Sequence, residues 1–185
     1  MIPITVAQIV RASGARPAEA EKFLPFIQGT CKAFDITTPK RIAGFLSQIG
    51  HESAGFSQLT ENLNYSADAL LTMFGRHRIS EADARRVGRT PYQKANPEAI
   101  ANLIYGGEWG RKNLGNTEPG DGWRFRGRGL KQLTGRDNYK RCGVALGEDF
   151  ISSPDRLLMP VNATLSAGWF WESNGLNRLA DIGDV

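Results

Sequence analysis

The residues with the clearest potential for chemistry are two glutamates, Glu52 and Glu61. Glu52 follows a stretch with helical spacing, residues 42–49, whose apolar side chains form one stripe. At about 100° per residue, Glu52 lies about 20° from Phe45 at the edge of that stripe. A carboxyl group placed there is partly desolvated and close to the negative end of the helix dipole, and both effects favour its protonated form. A general acid begins its reaction in that form.

Glu61 lies in more polar surroundings, with Thr60, Asn62 and Asn64 as near neighbours in the chain. A carboxylate in this setting can stay ionised. Two carboxyl groups in such different surroundings are typical of the acid and the base that cleave a glycosidic bond. A single glutamate at a helix end is more often a solvated surface residue, so the pattern permits this chemistry without requiring it.

A metal site is not expected in this sequence. His51 precedes Glu52 as in metalloprotease helices, but Gly55 occupies the position where a second histidine would bind zinc. The other histidine, His77, lies between two arginines, which is an unfavourable setting for a cation. We therefore expect no metal and no cofactor, and we expect His51 to be exposed near a helix C-terminus.

The composition indicates a compact domain with a mildly basic surface. The 185 residues are 41% hydrophobic, and the formal charge is +4. A basic surface favours anionic partners such as nucleic acid, acidic lipid or an anionic cell-wall polymer. The two cysteines, Cys31 and Cys142, form neither a disulfide framework nor a zinc-ligand set, so we expect buried free thiols and folding in a reducing cytoplasm.

Neither a signal peptide nor a membrane span is expected. The apolar stretch over residues 1–10 has no basic region before it, and Arg11 follows too soon for a signal peptide. No apolar run approaches membrane-spanning length.

The elements that would position these residues have the spacing of short helices. Predicted helices run from Thr5 to Ala12, from Pro17 to Phe34 and from Pro39 towards Ser53, start again at Ser66, Ser80 and Asn96, and end with one from Asn162 to Ser173. Pro25 is expected to kink or break the second helix. We expect Leu165 and Trp169, with Ala163 and Phe170, to face inward on the last one.

The predicted irregular part of the chain is glycine-rich. Residues 106–129 are expected to form a long loop, and its aromatic content favours a functional role. A small β-hairpin is expected at most, near residues 59–65 or 123–133. The prediction is therefore a mainly α single domain over residues 1–185.

Three groups of motifs carry a family resemblance. They are His51-Glu52-Ser53 with Thr60-Glu61-Asn62-Leu63-Asn64-Tyr65, then Gly120-Asp121-Gly122-Trp123 running into Arg126-Gly127-Arg128-Gly129-Leu130-Lys131-Gln132-Leu133-Thr134-Gly135-Arg136, and finally Asn138-Tyr139 with Trp169-Phe170-Trp171. This combination resembles glycoside hydrolase family 19, which contains plant-type chitinases and many bacteriophage or prophage endolysins. The resemblance covers about residues 36 to 175.

The resemblance implies a lysozyme-like, two-lobed helical domain with a central cleft and an inverting mechanism. It implies that Glu52 protonates the leaving oxygen, that Glu61 activates a water, and that Thr134 helps to hold that water. An inverting enzyme keeps its two carboxyl groups about 6.5 to 9.5 Å apart.

The candidates for substrate binding are Gln132, Asn138, Tyr105, Trp123, Arg128 and Tyr139. Gln132 and Asn138 match positions that hydrogen-bond the N-acetylated sugar. Trp123 and Tyr105 are either stacking surfaces for sugar rings or plugs that pack the loop. Three roles are open for Arg126 and Arg128. They could contact substrate, they could keep Glu61 ionised, or they could be solvated surface arginines.

Two departures from the family pattern bear on function. Family members continue past a segment like residues 181–184 into a stretch that lines the cleft, whereas this chain stops at Val185. This predicts a C-terminally truncated form or a cleft that lacks one wall. The chain also lacks the cysteine-rich chitin-binding module and the disulfides of many plant members, which favours a cell-wall lysin.

The leading interpretation is a bacteriolytic endolysin that cleaves the β-1,4 bond between N-acetylmuramic acid and N-acetylglucosamine in peptidoglycan. It would be a monomer made in the bacterial host cytoplasm without a signal peptide. It would act on the cell wall in the periplasm, without membrane insertion or nucleic-acid binding, after a separate membrane-permeabilising protein releases it.

Three alternatives stay open. One is a chitinase that acts on β-1,4-linked N-acetylglucosamine. Another is a nucleic-acid-binding module, suggested by the arginines and aromatics that alternate over residues 123–128. The third is a catalytically inactive sugar-binding relative.

Overall fold

The computed structural model describes residues 3–184, and its regular structure is helical. The helices are α1 (Val6–Ser13), α2 (Pro17–Ala33), α3 (Pro39–Glu52), α4 (Ala67–Met73), α5 (Glu81–Val87), α6 (Pro97–Ile104), α7 (Gly107–Leu114), α8 (Asp121–Arg124), α9 (Arg136–Leu146), α10 (Pro160–Ser173) and α11 (Leu176–Ile182), with a 3₁₀ turn over Pro154–Leu158. The mainly α prediction is confirmed. In place of the predicted hairpin, residues 3–184 contain isolated bridges, two of which join Arg128 to Thr60 and to Leu133.

The predicted helix starts are confirmed by their N-caps. The side chains of Thr5, Thr38, Ser66, Ser80 and Asn96 each accept a hydrogen bond from a backbone N–H in the first turn of the helix that follows. These bonds satisfy N–H groups that have no partner inside the helix, which is why such short polar residues mark helix starts in a sequence.

Helical structure is present in two regions where a break or a loop was predicted. α2 continues through Pro25 without a break, because the proline is exposed while Phe23 and Ile27 on either side of it are fully buried in the core. Residues 106–129 contain α7 and α8. Several of the glycines that suggested a loop lie at the helix ends, where Gly115 and Gly120 have φ values of +66° and +87°.

The chain divides into two compact units. Unit 1 comprises Met1–Thr60, Arg128–Leu133 and Cys142–Val185, and unit 2 comprises Glu61–Gly127 and Thr134–Arg141. No described helix is both long and apolar enough to cross a lipid bilayer.

The core of unit 1 surrounds α10. Ala163 and Trp169 are buried and Leu165 and Phe170 partly buried, as predicted. Trp171, which was not predicted to face inward, is 2% exposed and meets the Phe45 ring edge to face, at 5.6 Å between centroids. The helix is apolar on several sides because it lies inside the unit.

Helices α1 and α3 of unit 1 approach each other closely at Gly50. A β-carbon at Gly50 would lie 2.3 Å from the Ser13 carbonyl oxygen, so only glycine fits there. Cys31 and Cys142, also in unit 1, are buried and free, as predicted, and burial raises the pKa of each thiol to about 12.

Unit 2 has a separate small core from α4, α5 and α6. Its buried members are Leu63, Leu70, Ile79, Ala84, Val87, Ile100, Ala101 and Ile104. The ion pair between buried Asp121 and Arg136, with 2.7 Å between Oδ1 and Nη2, joins the start of α8 to the start of α9.

Candidate active site

Glu52 is the last residue of α3 and contacts a lysine that the sequence did not predict. Its side chain is 35% exposed, and the Lys131 Nζ lies 2.5 Å from its Oε1. Lys131 itself is only 15% exposed. The apolar stripe of α3 is buried and Glu52 is exposed at the end of the same helix, with a cation beside its carboxyl group. His51 is exposed in the last turn of α3, as expected.

Backbone hydrogen bonds hold the segment that carries Lys131. The Gly129 N–H donates to the Leu59 carbonyl at 2.8 Å, and the Leu130 N–H donates to the Ala163 carbonyl at 3.4 Å. The Leu130 side chain is fully buried in the unit 1 core. The residue next to Lys131 is thus anchored on both its backbone and its side chain.

Both oxygens of the Glu61 carboxylate accept hydrogen bonds inside unit 2. The Tyr105 hydroxyl donates to Oε2 at 2.8 Å, and the Gly127 N–H donates to Oε1 at 2.6 Å. The Glu61 N–H donates in return to the Gly127 carbonyl at 3.0 Å. The polar setting expected for Glu61 is real, but these donors come from distant parts of the chain rather than from its sequence neighbours.

Tyr105 is suited to act as a permanent donor to Glu61. Burial raises the pKa of Tyr105 far above its usual range, and the nearby Glu61 carboxylate raises it further. Burial and Glu61 also raise the pKa of Tyr65. The Tyr105 phenol therefore keeps its proton at any physiological pH. Tyr105 was predicted either to stack on a sugar ring or to plug the loop, and the structure shows its hydroxyl bound to Glu61.

Trp123 has one of its faces covered. The Arg126 guanidinium carbon lies 3.7 Å from the centroid of the indole, and Arg126 Nη1 donates to the Trp123 carbonyl at 3.0 Å. The indole also packs against the unit 2 core. Of the two roles considered for Trp123, these contacts favour the plug.

The remaining polar candidates are partly exposed. In unit 2, the Asn138 Nδ2 donates to the Thr134 carbonyl at 2.8 Å, which places these two predicted residues together at the start of α9. In unit 1, the Gln132 Nε2 donates to the Gly129 carbonyl at 2.9 Å. Gln132 has a φ of +54°, an uncommon backbone conformation that often marks functional positions.

Two predicted substrate contacts disagree with the structure. Tyr139 is fully buried, where its ring packs against Phe125 and its hydroxyl donates to the Arg126 carbonyl at 2.5 Å. The Arg128 side chain is 4% exposed and pairs with Asp155 at 2.8 Å. Both side chains are buried, and their contacts hold turns of the motif in place. Neither is available to a polymer in this conformation.

Sequence reasoning missed Lys131 and the link from Tyr105 to Glu61. Lys131 stands inside the family-like motif, so only its charge could have suggested it. Tyr105 lies 44 positions after Glu61 in the chain, so no helical or strand spacing could have indicated their contact. Within residues 3–184 no cluster of three or more histidines, cysteines, aspartates or glutamates could hold a metal ion.

Comparison with known proteins finds relatives in bacteria and plants. The chain is 38% identical over 144 residues to a glycosyl hydrolase family 19 domain-containing protein of Haemophilus influenzae, covering 77% of this chain and 66% of that protein. It is 30% identical over 147 residues to an endochitinase of Pisum sativum, covering 78% and 36%. It is 45% identical over 51 residues to acidic endochitinase Q of Nicotiana tabacum, covering 26% and 19%.

The chain thus spans 66% or less of the length of these relatives. No family model matches it. Its fold is similar to the crystal structure of a bacterial family 19 chitinase, with a TM-score of 0.50 and 20% identity over 93% of this chain and 69% of that one.

Proposed function

Because the chain belongs to glycoside hydrolase family 19, we propose that it hydrolyses β-1,4-glycosidic bonds in a polymer of N-acetylated amino sugars. The observation that carries this proposal is the arrangement around Glu61. Two donors hold both carboxylate oxygens, one of them a phenol that keeps its proton. A carboxylate held this way is oriented and can still accept a proton from a water.

The reaction proposed here is a single displacement with inversion. Glu52 donates its proton to the leaving glycosidic oxygen as the bond to the anomeric carbon breaks. Glu61 removes a proton from a water that attacks the opposite face of the sugar, and the Thr134 hydroxyl helps to hold that water. Gln132 and Asn138 hydrogen-bond the N-acetylated sugar. No cofactor takes part.

The polymer we propose is peptidoglycan, cut between N-acetylmuramic acid and N-acetylglucosamine. Of the two reported relatives that align with more than three quarters of this chain, the one with the higher identity, 38% against 30%, is bacterial. Unit 2 contains 13 lysines and arginines against 9 aspartates and glutamates, and so carries the whole net charge of +4, which suits an anionic wall. In this role the protein is a monomeric endolysin, made in the host cytoplasm and acting in the periplasm after a separate protein has permeabilised the membrane.

A second candidate substrate is chitin. It is favoured by the relatives from Pisum sativum and Nicotiana tabacum, which are named endochitinases. The same two glutamates would carry out the same displacement, and the polymer alone would differ.

The test compares the wild type with Glu52→Gln and Glu61→Gln on purified peptidoglycan and on chitin, by release of reducing ends. We expect the wild type to act on peptidoglycan, and each variant to lose about 10²-fold or more of that activity, since each lacks one proton-transfer group. Equal rates for all three proteins would reject the mechanism. Activity on chitin alone would assign the second candidate substrate.

The stereochemistry supplies a further check of the mechanism. The first product detected by NMR should carry the inverted α configuration at its new reducing end. A retained β product would contradict a single displacement.

Steeply salt-dependent binding to oligonucleotides without hydrolysis would instead support the nucleic-acid-binding alternative.

A further inference from the structure

Lys131 is the group closest to Glu52 that no sequence argument assigned. Its Nζ lies 2.5 Å from Glu52 Oε1 and 3.4 Å from the Gln48 side-chain oxygen. It also lies 5.0 Å from the centroid of the Phe170 ring. These three contacts hold the ammonium in one place, and only 15% of the lysine side chain is exposed.

The contact is made to one oxygen of the carboxyl group. Among residues 3–184, Lys131 is the hydrogen-bond donor to Glu52, and it binds Oε1. Oε2 accepts no hydrogen bond from those residues. A carboxylic acid that is anchored through one oxygen presents the other in a defined direction, which a general acid requires.

We propose that Lys131 is a positioning residue for the general acid Glu52, an inference that rests on the proposed function. Lys131 orients the carboxyl group through Oε1. It also stabilises the negative charge that appears on Glu52 when the proton of Oε2 moves to the glycosidic oxygen. The bonding electrons of that O–H stay on Glu52, and the C–O electrons of the broken glycosidic bond stay on the leaving oxygen.

The physical basis is a difference between two states. Before proton transfer, Lys131 faces a neutral carboxylic acid, and afterwards it faces a carboxylate. The attraction therefore grows along the reaction, and an interaction that is stronger in the transition state raises kcat rather than substrate affinity. Because the Lys131 side chain is only 15% exposed and that of Glu52 is 35% exposed, solvent screens this attraction less than that of a fully exposed ion pair.

The test is Lys131→Met, which keeps a flexible apolar side chain against Phe170 and removes the charge. On the polymer that the wild type cleaves, we expect kcat to fall about 10- to 100-fold with KM within about twofold of the wild-type value. Lys131→Arg, which restores a cation, should recover kcat to within about threefold of the wild type. Lys32→Met, on an exposed lysine in the last turn of α2, is the matched control and should leave kcat unchanged.

The leaving group distinguishes acid catalysis from a general structural defect. An aryl glycoside of the corresponding oligosaccharide has a leaving group that needs little protonation, so on it Lys131→Met should lose less than about threefold. An equal loss on aryl glycoside and polymer, or full activity of Lys131→Met on the polymer, would overturn the inference alone. A wild type that cleaves neither peptidoglycan nor chitin would overturn the proposed function, and the inference with it.

Discussion

Glu52 and Glu61 differ most in the kind of group that holds them. Glu61 accepts neutral hydrogen bonds from Tyr105 and from a backbone N–H, whereas Glu52 contacts the charged Lys131. Neutral donors orient a carboxylate without neutralising its charge, which suits a base. A cation beside the other carboxyl group suits one that gains negative charge during the reaction.

The hydrogen bond from Tyr105 should be needed for the base to work. Tyr105→Phe removes one of the two donors to Glu61 and leaves the ring in place. We expect kcat to fall about tenfold, in line with losing one positioned hydrogen bond, while the far-ultraviolet circular dichroism stays unchanged. Steady-state kinetics on the cleaved polymer measure this effect. Tyr92→Phe, at a tyrosine that is 98% exposed, is the matched control, and an equal loss in both variants would contradict the role given to Tyr105.

The buried pair of Asp121 and Arg136 should make stability depend on pH. Burial alone raises the pKa of Asp121, but the Arg136 guanidinium and the backbone N–H groups of Glu118 and Thr117 outweigh burial, so the pKa lies below its ordinary value. A depressed folded-state pKa adds stability above the unfolded-state value of about 3.9, and this stability is lost as pH falls through the lowered pKa.

Asp121→Asn is therefore expected to lower the free energy of unfolding by about 2 to 4 kcal/mol at pH 7. The difference from the wild type should shrink as the pH falls from about 4 through the lowered pKa of Asp121, because the wild-type carboxylate then becomes protonated too. Urea denaturation at several pH values measures it. A deficit that is independent of pH would assign the effect to packing rather than to charge.

Local chemistry at single residues determined which parts of the site could be predicted. Glu52 could be placed because it shares a helix with its apolar stripe, and Glu61 because its motif is distinctive. The donors to Glu61 could not, since Tyr105 and Gly127 reach it only through the fold. The predictions for Tyr139 and Arg128 disagree with the structure because a motif gives residue types without showing which of them are buried.

Helix starts were predictable from the sequence, and helix interiors less so. A capping residue acts on the next few N–H groups, so Ser66 or Asn96 signals a start from neighbouring residues alone. Whether Pro25 breaks α2 depends on how the whole helix packs, which adjacent residues do not reveal. Glycine at a helix end and glycine in a loop look the same in a sequence, and α7 was missed for that reason.

Two helical glycines should respond oppositely to the same substitution. Gly50→Ala would press a methyl group against the Ser13 backbone where α1 meets α3, and we expect a loss of about 1 to 3 kcal/mol in the free energy of unfolding. Gly29→Ala, in α2 with open space around it, should gain about 0.5 to 1 kcal/mol because alanine favours the helix. Thermal denaturation of both variants measures this. A gain in both would show that helix propensity, rather than the close approach, decides the result.

Charge is distributed unequally over the protein. Unit 1 has as many acidic as basic residues, 10 of each, and unit 2 carries the entire excess. The total charge of a sequence cannot reveal such a division, because the assignment of residues to units follows from the fold.

This distribution leads to a prediction about salt. Raising the ionic strength from about 0.1 M to about 1 M shortens the Debye length from about 10 Å to about 3 Å, so attraction to an anionic polymer weakens. We expect KM for soluble peptidoglycan fragments to rise about threefold or more, while KM for uncharged chitin oligosaccharides stays nearly constant. Kinetics on both substrates in parallel measure the difference. If KM rises equally for both, the charge of unit 2 does not select the polymer.

The order of the segments in the chain also bears on synthesis. Unit 1 begins with residues 1–60 but also requires α10 and α11, including the pair of Arg41 with Asp181, which lie 140 positions apart. Unit 2 is nearly continuous and is complete at Arg141. A ribosome therefore delivers all of unit 2 while the apolar faces of α1 to α3 still await α10. Because domains fold as their segments emerge, the second unit in the sequence can fold first, and the exposed first helices are the part of the nascent chain most in need of a chaperone.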